Sequence, residues 1–196
     1  FAHLGVIKAL EEHDIKPDIL SGVSVGSIVG AFYADGFSWE EILDLFEKRK
    51  LYSFTRLTIP RSGLLDVSKL RNFLLKNLRS GKFEQLQIPL FITATNFQTG
   101  EPERFSRGNL VDAIIASSSI PVLFNPAIIN NHTYMDGGIT DNLPVEPIKD
   151  CCRNLIGIHV NPVGKESETA GLLNIAIRTF HLSVAADIEN KKHLFK

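Results

Sequence analysis

The sequence predicts an α/β layered domain with a largely parallel central sheet. Two observations carry that prediction. Short apolar, β-prone runs alternate with segments of helical period along the chain. The 196 residues are 44% hydrophobic and 22% charged, close to an average globular composition. A domain of this length buries roughly 70% of the surface its unfolded chain exposes, so it needs no disulfide or metal to hold a core.

Taken in order, Leu4, Ile7 and Leu10 recur at helical spacing, which predicts a helix from Ala2 to about His13, ended before Pro17. A short run, Asp18-Ile19-Leu20, leads into Ser21-Gly22-Val23-Ser24-Val25-Gly26. Ser27 to Ala34 then reads as a helix stopped by Gly36. Ser38-Trp39-Glu40-Glu41 is a capping box opening a helix through about Lys50. Residues 51–65 show no clean period and contain Pro60 and Gly63, which predicts a loop. Asp66 is placed to cap a helix carrying Leu70, Phe73, Leu74 and Leu78, ended by Gly81.

The second half alternates again. Pro89 to Asn96 suits a buried strand. Asn109 caps a helix through about Ser117, with Pro121 beyond it. Ala127-Ile128-Ile129 and Thr133-Tyr134-Met135 flank Asn130-Asn131, a hairpin signature. Leu155 to Val160 is a further buried-strand candidate. Residues 164–171 are polar, and Leu172 opens a long final helix with Ile175, Phe180 and Val184 among its apolar positions. No repeat or low-complexity tract interrupts the chain, so one domain over residues 1–196 is expected.

A formal net charge of −1 carries no basic footprint, so nucleic acid is not the expected partner. No apolar run approaches the ~18–20 residues of a spanning helix. The only two cysteines, Cys151 and Cys152, are neighbours, which disulfide geometry rarely permits; this points to a reduced, cytoplasmic setting. The chain opens at Phe1 without an initiator methionine and closes at Lys196 inside a helical pattern. It therefore reads as truncated at both ends, a portion of a longer polypeptide.

Gly22-Val23-Ser24-Val25-Gly26 fits G-x-S-x-G, the nucleophile elbow, in which a serine sits on a sharp strand-to-helix turn. Glycines two residues to either side let the backbone close around Ser24. The helix N-terminus behind it favours developing negative charge. The plainer reading is a glycine-rich turn with a helix-capping serine. A serine nucleophile needs a base. His159, His181 and His193 follow a candidate acid in the usual order, yet His159 lies in an apolar run and the other two lie on the final helix. His3, His13 and His132 read as surface or helix-end residues. Tyr134-Met135-Asp136-Gly137-Gly138 is the other conspicuous turn, able to project a carboxylate into a cleft or simply to turn the chain. No His/Cys cluster has metal-ligand spacing.

Together these segments resemble the patatin-like phospholipase family. The likeness runs through Phe1-Ala2-His3-Leu4-Gly5-Val6 and Ser21-Gly22-Val23-Ser24-Val25-Gly26-Ser27-Ile28-Val29-Gly30-Ala31. It continues through Ala116-Ser117-Ser118-Ser119-Ile120-Pro121-Val122-Leu123-Phe124 and ends with Tyr134-Met135-Asp136-Gly137-Gly138-Ile139-Thr140-Asp141-Asn142-Leu143-Pro144-Val145. The resemblance implies a three-layer α/β/α fold and a Ser–Asp dyad that hydrolyses fatty-acyl esters of lipids without cofactor or metal. By position, Ser24 is then the nucleophile and Asp136 the base, with Gly22, Val25 and Gly26 forming the elbow and Gly137 and Gly138 the turn. The family's glycine-rich oxyanion loop, of the form G-G-G-x-R-G, would fall just before Phe1, so it and the first strand are expected to be truncated away. That leaves the Val25 amide as the oxyanion donor nameable from these residues.

Phospholipid or another fatty-acyl ester is the expected substrate. Phe32, Phe54, Leu57 and Phe124 are candidates to line an acyl channel, against the alternative that they are core. Residues 51–65, with Arg56 and Arg61, are the candidate for peripheral contact with a membrane. Two other functions remain open at this point: a Ser-His-Asp triad esterase using His159 or His181, and a non-catalytic lipid-binding or regulatory module on the same fold.

Overall fold

The computed structural model describes residues 1–48, 67–160, 171–191 and 194–195. Phe54, Leu57, Arg56, Arg61, Asp66 and His193 fall outside the described residues, as do the expected loop at 51–65 and most of the polar segment at 164–171. The elements, in chain order, are α1 (Ala2–Glu12), β1 (Leu20–Val23), α2 (Val25–Ala34), α3 (Trp39–Lys48) and α4 (Ser68–Asn77), followed by β2 (Leu90–Asn96), β3 (Pro102–Phe105), α5 (Leu110–Ser117), β4 (Ala127–Ile129), β5 (His132–Asp136) and α6 (Leu172–Lys191). Among the described residues, no helix is long and apolar enough to cross a membrane.

Local chemistry accounts for most boundaries. The box opening α3 closes both ways: the Ser38 amide donates to Glu41 Oε2 at 2.9 Å, and the Glu41 amide to Ser38 Oγ at 3.3 Å. Asn109 caps α5 by accepting from the Asp112 amide at 3.0 Å. Asn130 and Asn131 both take positive φ, 49° and 65°, as a type I′ hairpin turn between β4 and β5 requires.

The five-stranded sheet is mixed, and helices flank it. β1 pairs with β2 in parallel, as expected, whereas β2–β3, β2–β5 and β4–β5 are antiparallel. The expectation of a mostly parallel sheet is thus corrected. Its physical reason is connection length, since the tight turns joining β2 to β3 and β4 to β5 force the chain to reverse. Leu155–Val160 forms no strand, and Ile156 is 53% exposed. An apolar run becomes a strand only where a neighbour takes its amides and carbonyls, and among the described residues none pairs with it.

The core lies between α1–α5 and the sheet, with Leu4, Ile28, Phe32, Ile42, Phe46, Phe73, Leu74, Ile92 and Ile114 in one buried cluster. A smaller cluster gathers Ala94, Ala116 and Tyr134. β2 is buried at six of its seven positions, as a central strand covered on both faces would be.

The registers fix one further point of topology. β3 lies along β2 from Ile92 to Thr95 and so fills one of its two edges. β1 pairs with Leu90 to Thr93 and β5 with Ala94 to Asn96, so both occupy the other edge. β1 runs up this edge and stops opposite Thr93. β5 runs down it and stops opposite Ala94. The two strands therefore end head to head.

Candidate active site

The residue after β1 is Ser24 and the last residue of β5 is Asp136, so the head-to-head junction brings the two together. Ser24 has φ 50° and ψ −124°, left-handed backbone that disfavours any residue with a Cβ and costs about 1–3 kcal/mol. Its hydroxyl makes no capping bond to α2, which sets aside the plainer reading of a helix-capping serine. Its backbone is held from three sides. The Ser24 amide donates to Ser117 Oγ at 2.8 Å, and the Ser24 carbonyl accepts from Ser27 Oγ at 2.6 Å and the Ser27 amide at 3.0 Å.

The elbow glycines are not equivalent. A Cβ on Gly22 would sit 2.8 Å from the Gly26 carbonyl oxygen, so the turn closes only with glycine there. A Cβ on Gly26 would meet nothing nearer than His3 Nε2 at 3.7 Å. The expectation that both glycines are needed for closure is thus corrected at Gly26, because the backbone closes towards Gly22. His3, expected at the surface or a helix end, lies in the first turn of α1, half-buried against this turn, and burial lowers its pKa.

Asp136 is 1% exposed. Its Oδ1 accepts from the Gly138 amide at 2.8 Å, while Oδ2 has no hydrogen-bond partner of standard geometry. Burial pushes its pKa up to about 6, opposed by the Ser24 hydroxyl and the Gly138 amide, both of which favour the ionised form. The Ser24 hydroxyl therefore lies within reach of the carboxyl without a well-aligned bond. Gly137 must be glycine: a Cβ there would approach the Thr93 carbonyl oxygen to 2.2 Å.

The turn is anchored from below and behind. Thr95 Oγ1 donates to the Asp136 carbonyl at 2.9 Å and meets Thr140 Oγ1 at 3.0 Å. The Asp136 amide donates to the Ser119 carbonyl at 2.9 Å. Lys191, at the end of α6, bonds to buried Asp141 and to the Leu143 carbonyl at 3.1 Å, which ties the long helix to the segment leaving the turn.

Other candidates fall elsewhere. Phe32 is 0% exposed inside an aromatic cluster with Phe37, Phe46 and Phe73, at centroid distances of 5.3, 6.1 and 5.8 Å. It packs in the core, because its position on α2 faces α3 and α4. Phe124 is half-buried in the turn after α5. His159 and His181 are exposed, and among the described residues no histidine hydrogen-bonds to Ser24 or Asp136.

Ser117 is the residue that sequence reasoning missed. It reads as the last turn of a helix, yet it is fully buried against Ser24 and Thr93. The signal available was three consecutive serines after an apolar helix, Ser117-Ser118-Ser119, polar groups that need partners if buried.

A family model described as patatin-like phospholipase matches residues 1–149. The chain is 30% identical over 172 residues to the lysophospholipase NTE1 of Kluyveromyces lactis, a match covering 83% of this chain and 12% of that protein. It is 33% identical over 153 residues to an NTE family protein of Mycobacterium tuberculosis, covering 76% of this chain and 42% of the relative. It is 31% identical over 157 residues to the lysophospholipase nte1 of Aspergillus fumigatus, covering 76% of this chain and 10% of that protein. The chain thus spans well under half the length of these curated relatives. The ordered motifs, the elbow geometry and the extent of the family match lead to one assignment: the chain belongs to the patatin-like phospholipase family.

Proposed function

We propose that the protein is a lipid acyl hydrolase of the lysophospholipase or phospholipase A type, with Ser24 as nucleophile and Asp136 as its base. The observation that carries this reading is the meeting of β1 and β5 on one edge of β2, which sets the Ser24 hydroxyl beside a buried carboxyl whose pKa is pushed up to about 6. An aspartate at its ordinary value near 3.9 is a weak base; one near 6 is still ionised at neutral pH and holds a proton better.

Ser24 Oγ attacks the acyl carbonyl carbon, and its proton passes to Asp136 Oδ2, the oxygen without a partner. The negative charge that develops on the carbonyl oxygen faces the Val25 amide. That amide opens α2, so it has no acceptor within the helix. Collapse breaks the ester bond, and the leaving alcohol takes the proton from Asp136. Water then attacks the acyl-Ser24 carbonyl and gives one proton to the same carboxylate. As the acyl–Oγ bond breaks, Asp136 returns that proton to Ser24 Oγ, releasing the fatty acid and regenerating the free hydroxyl. Val25 is 40% exposed, which leaves the elbow open to an incoming acyl chain. The substrate class, a phospholipid or lysophospholipid ester, is supported by the printed names of the relatives. A peripheral approach to the lipid aggregate belongs to the same reading.

Fatty-acid release from lysophosphatidylcholine micelles tests it. Wild type should release fatty acid, Ser24→Ala and Asp136→Ala should not, and His159→Ala with His181→Ala should retain the activity. Loss of activity in the histidine variants would favour a triad esterase. A folded wild-type protein that binds the micelles and releases nothing would favour a lipid-binding module.

A further inference from the structure

The end of α5 touches both halves of the junction. Ser117 Oγ accepts from the Ser24 amide at 2.8 Å and donates to the Thr93 carbonyl at 2.6 Å. Two residues on, the Ser119 carbonyl accepts from the Asp136 amide at 2.9 Å. We infer that the C-terminal end of α5 is a positioning element for the reaction proposed above, in which the Ser117 hydroxyl sets the backbone of the nucleophile and the Ser119 carbonyl sets that of the base.

The chemistry of a single hydroxyl makes the contact directional. Ser117 is fully buried and has one proton, which the Thr93 carbonyl takes. Its oxygen is therefore left as an acceptor aimed at Ser24. Thr93 is the last β2 residue paired with β1, and its carbonyl oxygen is also the atom that a Cβ on Gly137 would meet first. The Ser117 bridge thus sits where β1 ends and the Asp136 turn begins. Ser24 needs such a partner. Its left-handed backbone takes its amide out of the β1–β2 ladder, and as the N-cap it has no acceptor within α2. Without the Ser117 oxygen, that amide is orphaned and the strained φ loses the one bond that holds its amide side, leaving only the Ser27 bonds to the carbonyl. A displacement of about 1 Å at a reacting atom can cost on the order of a hundredfold in rate.

The inference rests on the hydrolase reading, so its test carries a second readout that does not. Ser117→Ala should lower kcat for lysophosphatidylcholine by about 10–100-fold with KM within twofold. It should also speed hydrogen exchange of the Ser24 amide at least tenfold. Ser117→Cys fills the same space with a weak hydrogen-bonding group, so it should lose rate as Ala does. Asn109→Ala removes the cap at the opposite end of α5; it should lower the melting temperature while kcat stays within twofold. The inference is overturned if Ser117→Ala keeps its kcat, if Ser24 exchange does not change, or if Asn109→Ala loses rate to the same extent, which would tie rate to stability alone. A wild-type protein that releases no fatty acid would sink the hydrolase reading instead. Exchange at Ser24 in Ser117→Ala would then still decide whether Ser117 holds the elbow.

Discussion

The two ends of α2 are built on opposite principles. At its C-terminal end Phe32 packs among Phe37, Phe46 and Phe73, and the Arg79 guanidinium lies over the Phe37 ring. The buried Asp35 carboxylate there accepts from the Arg79 and Ser80 amides at 2.6 and 3.1 Å. At its N-terminal end, ten residues long though the helix is, Ser24 holds a left-handed backbone beside a buried carboxyl with one oxygen unpartnered. The first end resembles any well-packed core. The second violates several rules of stable packing at once: strain, a buried carboxyl whose Oδ2 lacks the paired amides that Asp35 has, and serines in place of apolar side chains. Violations of this kind gather at functional sites because the rest of the fold over-determines them. The aromatic end supplies the stability against which the strained end is held.

Four changes would break or sharpen that contrast. The largest effect is expected at the polar end: Ser24→Ala and Asp136→Ala should lower activity by about 10⁴-fold or more, equivalent to about 5 kcal/mol of transition-state stabilisation, while the melting temperature stays within a few degrees. Phe32→Ala should do the reverse. It should destabilise the protein by about 3–5 kcal/mol in a denaturant titration, yet leave kcat per folded molecule unchanged.

The third change concerns pH. The Asp136 pKa is about 6 when folded and 3.8 as an ordinary aspartate, so the folded protein binds the proton more tightly. The stability this group contributes is fully present below pH 3.8 and is lost as the pH rises through about 6. Relative to Asp136→Asn, the wild type should therefore lose up to about 3 kcal/mol across that window. Activity should run the opposite way, rising through an apparent pKa near 6 as the base ionises. A flat rate profile between pH 5 and 7 would contradict the assignment of Asp136 as base.

The smallest effect separates the two glycines that the motif treats alike. Gly26→Ala should change stability by less than about 1 kcal/mol, since the site has room and alanine favours a helix. Gly22→Ala should unfold the elbow or displace α2. Circular dichroism melts of the two variants would show the difference directly.

Much of this was legible in the sequence, for reasons that differ by element. The α3 capping box, the Asn109 cap and the Asn130-Asn131 turn are local chemistry, written in three or four residues, and the structure has them all. β2 was legible because it opens with the continuous apolar run Leu90-Phe91-Ile92, followed by β-prone Thr93. β3 was not: Pro-Glu-Arg-Phe has no apolar alternation, and its pairing with β2 comes from the turn that precedes it. Leu155–Val160 shows the converse, an apolar run with no strand neighbour among the described residues. The nearness of Ser24 to Asp136 depends on registers between segments over a hundred residues apart. No local pattern encodes that, and only the resemblance of ordered motifs suggested it. Ser117 was hidden for the same reason, since its two partners lie 93 and 24 residues away.

The central claim is that Ser24 is a nucleophile activated by Asp136. Its most direct test is reaction with a fluorophosphonate, with the adduct located by peptide mass. A single label on Ser24 is expected, at a rate that falls at least a hundredfold in Asp136→Ala and is unchanged in His159→Ala and His181→Ala. A folded protein that takes no label, or takes it equally well without Asp136, would contradict it.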